Sequence, residues 1–185
     1  MPESASMRRV LILGCSGAGK STLARRMGKL IGLPVIHLDQ MYWQPGWVEP
    51  KKTEWHAALA KALEGETWIM DGNFTSTIAK RAEFADTVIF FDFPTWICVG
   101  RVLKRVWTTL GTVRADMAPG CPERFNWEFI QYILRFRKKY RPKVTGGLEK
   151  FTGELIVFKR PRDAERYLRG LEDARGGELD TAGAA

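Results

Sequence analysis

Cysteine is scarce in this chain. Cys15, Cys98 and Cys121 are the three in 185 residues, and they form no C-x-x-C pair and no even framework. A disulfide-stapled fold is thereby excluded, and reduced thiols are expected. Long hydrophobic runs are missing too. The best candidate, around Val88 to Val99, is interrupted by Asp92 and falls short of a membrane span. Residues 1–6 lack the layout of a signal peptide, because the apolar run after Arg8-Arg9 is too short. A cytoplasmic protein with no membrane partner is expected. No internal repeat and no second domain can be read. Acids are sparse in one segment: residues 101–143 hold eleven Lys/Arg against Asp116, Glu123 and Glu128, so the whole net charge of +8 sits there. Such a patch could meet a polyphosphate, nucleic acid or an acidic partner.

What is present is ordinary in bulk, with 45% hydrophobic and 27% charged residues, enough for one domain with a real core. Its most informative stretch is Arg9 to Thr22. Val10 to Leu13 is an uninterrupted apolar run, suited to a strand buried on both faces. It breaks into Gly14-Cys15-Ser16-Gly17-Ala18-Gly19-Lys20-Ser21, which fits G-x-x-x-x-G-K-[ST]. The glycines let successive N–H groups point into one concavity, at the positive end of the helix that starts near Lys20. That concavity suits a phosphate chain. Lys20 adds a mobile charge toward the β- and γ-phosphates, and the Ser21 hydroxyl suits Mg²⁺. Cys15 reads as a small side chain filling a tight turn.

Helices and strands then alternate. Leu23, Ala24, Met27, Leu30 and Ile31 share one helical face, and Gly32 and Pro34 stop that helix. A second strand over 35–39 ends in Asp39, where open α/β sheets place ligands. His37 reads as a structural histidine without an evident partner. Tyr42, Trp43 and Trp47 crowd a loop around Pro45-Gly46, either to stack or cover a substrate or to pack beneath the loop. A helix over 53–64 follows, with Trp55, Ala58, Leu59, Ala62 and Leu63 buried. A third strand over 67–71 ends in Asp71, a carboxylate placed to hold Mg²⁺ through water. Strands over 87–92 and 154–158, helices over 76–82, 95–109 and from Asn126, and a final helix through Leu171 complete the pattern. Asp92 reads as a turn or cap residue, and Thr95 as a helix cap. Residues 111–124 read as a mobile loop. The tail from Gly176 reads as disordered. The cations from Arg135 to Lys143 form either a solvated helix end or a nucleic-acid surface.

These features predict a three-layer α/β/α domain around a five-stranded parallel sheet. The chain resembles the P-loop nucleotide kinases around adenylate kinase and shikimate kinase. Within them it is most similar to the DNA topology modulation proteins. The likeness rests on Gly14 to Thr22, His37-Leu38-Asp39, Tyr42-Trp43, Pro45-Gly46-Trp47, Trp68 to Asn73, Arg101 through Arg105, Arg114 to Met117 and Pro119 to Pro122. It implies a P-loop kinase fold with strand order 2-3-1-4-5, a single domain over 1–175, an acceptor-side insertion near 40–66 and a lid near 110–125.

It further implies ATP held by Gly14, Cys15, Ser16, Gly17, Ala18, Gly19, Lys20, Ser21 and Thr22. Arg101 would flank the adenine and Arg160 would border it. Arg105 and Arg114 would reach the transferring phosphate, Asp39 would orient the acceptor, and Ser21 and Asp71 would hold Mg²⁺. One departure stands out. Adenylate kinases follow the third-strand Asp-Gly with Phe-Pro-Arg, whose arginine grips the acceptor's phosphate, but here Asn73-Phe74-Thr75 follows Asp71-Gly72. Arg81 could substitute from the next helix, or the acceptor could be a small hydroxylated molecule. Two functions are therefore expected: an ATP-dependent kinase, or a nucleotide-gated regulatory protein that binds DNA through its basic helix.

Overall fold

The computed structural model describes residues 7–182; the N-terminal residues 1–6 and the last three residues of the expected tail lie outside it. Its centre is a five-stranded parallel sheet in the order β2-β3-β1-β4-β5. The strands are β1 (Arg9–Gly14), β2 (Val35–His37), β3 (Trp68–Asp71), β4 (Thr87–Phe91) and β5 (Glu154–Phe158). Val10 to Leu13 are fully buried, as a central strand covered on both faces requires. β2 has three residues and β5 exposes Leu155 and Val157, so both edges are short or partly open.

Helices cover the two faces: α1 (Lys20–Ile31), α2 (Leu38–Tyr42), α3 (Lys52–Leu63), α4 (Ile78–Phe84), α5 (Thr95–Thr109), α6 (Trp127–Arg135), α7 (Arg141–Gly146) and α8 (Pro161–Ala182). Leu23, Ala24 and Met27 of α1 are buried as expected. α3 buries Trp55, Leu59 and Leu63, whereas Ala58 faces solvent because the helix contacts the core along a narrow stripe. The Asn126 side chain caps α6 by accepting from the Phe129 N–H at 3.1 Å. α6 continues through a π-helical turn (Phe136–Tyr140) into α7.

Several boundaries differ from the sequence-based expectation. β2 ends at His37 and α2 begins at Leu38, so Asp39 sits in a first helical turn instead of closing a strand. Pro94, not Thr95, is the residue before α5. α8 runs past Leu171 and across Gly176-Gly177, since good helix formers on both sides carry it over the pair. Asp92 is neither a turn residue nor a cap by its side chain. It pairs with Arg141 at the start of α7 through two bonds of 2.9 and 2.8 Å, and this ion pair holds its carboxyl below the usual range. Among the described residues no helix is long and apolar enough to cross a membrane.

Candidate functional site

At the carboxyl ends of the strands lies a cleft of about 1010 Å³, lined by Ser16 to Thr22, Arg25, Asp39, Asn73, Arg101, Arg105 and Arg114, among others. The phosphate loop forms its floor. Gly14 must be glycine: its φ is +136°, and a Cβ there would lie 2.6 Å from Phe91. Gly17, at φ +84°, lets α5 approach so closely that a Cβ would lie 2.5 Å from the Cys98 carbonyl oxygen. Cys15 is buried below the loop. The adjacent Cys98 thiol, then burial, push its pKa up, so it is a filler rather than a thiolate.

Asn73 joins the loop to the β3 turn. Its side-chain oxygen accepts from the Gly14 N–H at 3.0 Å, and its amide donates to the Gly14 carbonyl at 2.8 Å and to the Tyr132 hydroxyl at 3.0 Å. Both polar groups of the Gly14 peptide are thus held from a residue 59 positions away. The turn itself is strained, with Phe74 at φ +34°. Arg81 holds it. Fully buried, its guanidinium donates to the carbonyls of Gly72 (2.9 Å), Asn73 and Phe74 (3.4 Å) and to the Thr77 hydroxyl (3.1 Å). Burial pulls its pKa down to about 9, still charged at neutral pH. The possibility that Arg81 grips an acceptor phosphate is therefore corrected: its donors are spent on carbonyls and it does not line the cleft.

Ser21 and Asp71 meet as expected of a shared cation site, the hydroxyl donating to Asp71 Oδ2 at 2.6 Å. The other Asp71 oxygen accepts from His37 Nδ1, the partner the sequence did not reveal. Burial opposes a charge on His37, but the Asp71 carboxylate prevails and raises its pKa. Among the described residues no three His, Cys, Asp or Glu side chains converge into a protein-only metal cage. A hydroxyl and one carboxylate beside an amide cradle instead fit Mg²⁺, which is typically shared between a carboxylate or two and substrate phosphates.

Lys20 reaches back to the Cys15 carbonyl at 3.2 Å. Arg101 donates to the Ala18 carbonyl at 2.9 Å and lies 5.8 Å from the Phe93 ring centre. Asp39 lines the cleft half-buried, and burial raises its pKa while Lys20 opposes the shift. Arg160 is the one proposed site residue beyond the phosphate loop and Asp71 that the cleft does not reach. Its main-chain N–H donates to Asp163 at 2.8 Å, while Pro161, Ala164 and Leu168 line the wall there.

The two loops above the cleft are fastened together. Trp43 and Trp47 pack on Met117, Ala118 and Cys121. The Trp47 indole donates to the Pro122 carbonyl at 3.1 Å, and the Gly46 N–H to the Gly120 carbonyl at 2.9 Å. Tyr42 instead packs inward on Trp55 and Phe74, so it lies beneath the loop, whereas Trp43 and Trp47 line the cleft. The lid's acids, two of the three that interrupt the basic segment, hold its cations. Glu123 bonds Arg105 at 3.2 Å and lies 3.1 Å from Arg114 Nε, while Asp116 lies 3.1 Å from Arg114 and 3.7 Å from Arg25. Arg105 Nε is nearer to Glu123, at 3.0 Å, but it is off the bonding direction, so the 3.2 Å contact is the hydrogen bond. Burial, reinforced by Arg114, lowers the Arg105 pKa. Burial opposes ionisation of Asp116, yet Arg114, Ser21 and Arg25 together lower its pKa.

No family model and no curated protein matches the chain. Solved structures do. A shikimate kinase from Acinetobacter baumannii in complex with shikimate superimposes with a TM-score of 0.57 at 16% identity, over 91% of this chain and 94% of that one. A shikimate kinase from Bacteroides thetaiotaomicron gives 0.56 at 16%, over 91% and 98%. A gluconokinase from Sinorhizobium meliloti gives 0.53 at 14%, over 95% of each. The strand order and these likenesses together show that the chain shares the α/β fold of these kinases.

Proposed function

We propose that the chain transfers the γ-phosphoryl group of ATP to a small hydroxylated acceptor. The observation that supports this most is the meeting, in one cleft, of an amide cradle, the Ser21–Asp71 pair and the lid-side guanidiniums of Arg105 and Arg114. Loose phosphoryl-transfer transition states need positioning and distributed positive charge more than covalent help.

In this reading Gly14 to Thr22 hold the phosphate chain and Lys20 turns from the Cys15 carbonyl to the terminal phosphates. Ser21 and Asp71 would hold Mg²⁺, which would supply charge neutralisation for the phosphates. Arg105 and Arg114 exchange Glu123 and Asp116 for the transferring group. Arg101 flanks the base beside Phe93, and Pro161 and Ala164 supply the border first expected from Arg160. Asp39, its pKa raised by burial, takes the proton of the acceptor hydroxyl as that oxygen bonds to the γ-phosphorus and the bond to the β–γ bridging oxygen breaks, releasing ADP. With Arg81 committed to carbonyls, a wall of Trp43, Trp47 and Phe74 beside Asp39 and Asn73 suits a hydroxylated ring better than a nucleoside monophosphate.

The test is ADP release from ATP and Mg²⁺ across polyols, nucleosides and nucleoside monophosphates. Lys20→Ala is expected to lose at least a hundredfold in turnover, about 3 kcal/mol. Full activity of that variant would sink the assignment. A second reading, nucleotide-gated DNA binding as in topology modulation proteins, is favoured by the exposure of Arg135, Arg137, Lys138, Lys139 and Lys143 along one helical stretch. It predicts duplex-DNA affinity falling steeply with salt and no acceptor-dependent ADP.

A further inference from the structure

α5 has two apolar faces. Cys98, Val102 and Val106 are buried in the core. On the neighbouring flank, about 120° around the helix, Trp96, Leu103 and Trp107 face solvent, with Trp107 89% and Trp96 74% exposed, and Leu110 extends the stripe beyond the helix end. These side chains fall within an arc of about 60° on a helical projection. Phe125 of the lid joins Leu103, Trp107 and Leu110 around a shallow groove. Together with the buried stripe this makes an apolar arc about half-way round the helix, and so wide an apolar surface is ordinarily covered. The exposed stripe amounts to several hundred Å², on the scale of the roughly 800 Å² per partner in a standard interface.

The glycines indicate what covers it. Gly100 lies within α5 on this face, without a positive φ, and a Cβ there would meet nothing. Nothing in the chain itself therefore requires glycine at a position where it weakens the helix. Gly100 and Trp107 lie equally far on either side of the Leu103–Lys104 peptide. So do Trp96 and Gly111, where a Cβ would also meet open space. A second α5 laid antiparallel about that point sets each Trp107 over Gly100 of the other copy, and each Trp96 over its Gly111 turn. The large residue and the gap exchange places under a two-fold axis, as an isologous contact demands. A lipid surface or an unrelated protein would make no use of that reciprocal spacing. Lys104, at the edge of the stripe, can lay its stem along the contact and keep its charge in water.

We infer that this face is an interface between two copies of the chain, formed by antiparallel α5 helices with Trp107 seated over Gly100. Because Leu110-Gly111 also begins the lid, pairing steadies the lid's hinge. The inference is independent of what the cleft binds.

Sedimentation velocity on the full chain, from low to high micromolar, reads it directly. Wild type is expected at the mass of two chains and Gly100→Leu at the mass of one, with unchanged circular dichroism and an unchanged or higher melting temperature. The native thiols are buried. Leu103→Cys should therefore cross-link to a dimer on mild oxidation, whereas Lys61→Cys on exposed α3 should not. Wild type remaining monomeric, or Gly100→Leu remaining dimeric, overturns the inference. So does co-sedimentation with phosphatidylserine vesicles that Trp107→Ala abolishes, which would assign the face to a lipid surface. Calorimetric nucleotide binding by Gly100→Leu reads the cleft separately.

Discussion

On the floor of the cleft the polar groups are main-chain amides, whereas on the lid side they are guanidinium and carboxylate side chains. The floor is built by local geometry, namely the positive-φ glycines and the Asn73 bonds that grip the Gly14 peptide. The lid is built by mutual charge satisfaction: Glu123 serves Arg105 and Arg114, and Asp116 serves Arg114 and Arg25. Arg105, Arg114 and Arg25 each already have a carboxylate, so under the proposed function a ligand's phosphate would replace a partner rather than fill a void. In the proposed function, a rigid cradle and an exchangeable cover would divide the work between orientation and closure.

Substitutions can break or sharpen that contrast. The largest effect is expected beneath the floor. Arg81→Met leaves the Gly72, Asn73 and Phe74 carbonyls without their donor in a dry site, at a cost of about 3 kcal/mol or more in urea unfolding. Wild-type stability would mean that the turn does not depend on the cation. Asn73→Ala removes the grip on Gly14 and should cost about 2 kcal/mol, with a parallel loss of nucleotide affinity by calorimetry. If stability falls while affinity stays, the cradle is set by its glycines alone.

The lid should respond in the opposite sense. Glu123→Gln frees Arg105 and Arg114 from a competing charge, so nucleotide affinity should rise several-fold, about 1 kcal/mol. An unchanged constant would argue that these arginines never leave Glu123 for the ligand. Asp92→Asn, whose side chain turns to Arg141 and does not line the cleft, has the smallest expected effect. Asp92 has a depressed folded pKa, so its pairing with Arg141 stabilises above the ordinary carboxylate value of about 3.9 and is lost as pH falls through the folded value. Arg141 is partly open to water, so the cost above pH 4 should be no more than about 1 kcal/mol. Acid unfolding curves of the two proteins should converge below pH 4.

Much of the floor was legible in advance. The apolar run of β1, the glycine spacing after it and the acid closing β3 are short-range patterns whose geometry follows from a few neighbouring residues. Other assignments failed, or lacked a partner, where a side chain's state depends on distant groups. Arg81 looked like a free cation, yet the strained turn at Phe74 brings three carbonyls to it. His37 showed no partner because Asp71 lies 34 residues further on. Asp92 resembled a cap until α7 delivered Arg141. Glu123 and Asp116 carried one usable signal, as isolated acids in a basic segment, but nothing local says which arginines they hold.

The sequence by itself determined the alternation of strands and helices, the phosphate loop and the place of Asp71, since chain stiffness, periodicity and glycine geometry act within a few residues. Tertiary structure alone decided which charges are buried, which are paired and which face the cleft. Desolvation and Coulomb attraction act between whatever the fold brings within a few ångströms, however far apart those residues stand in the chain.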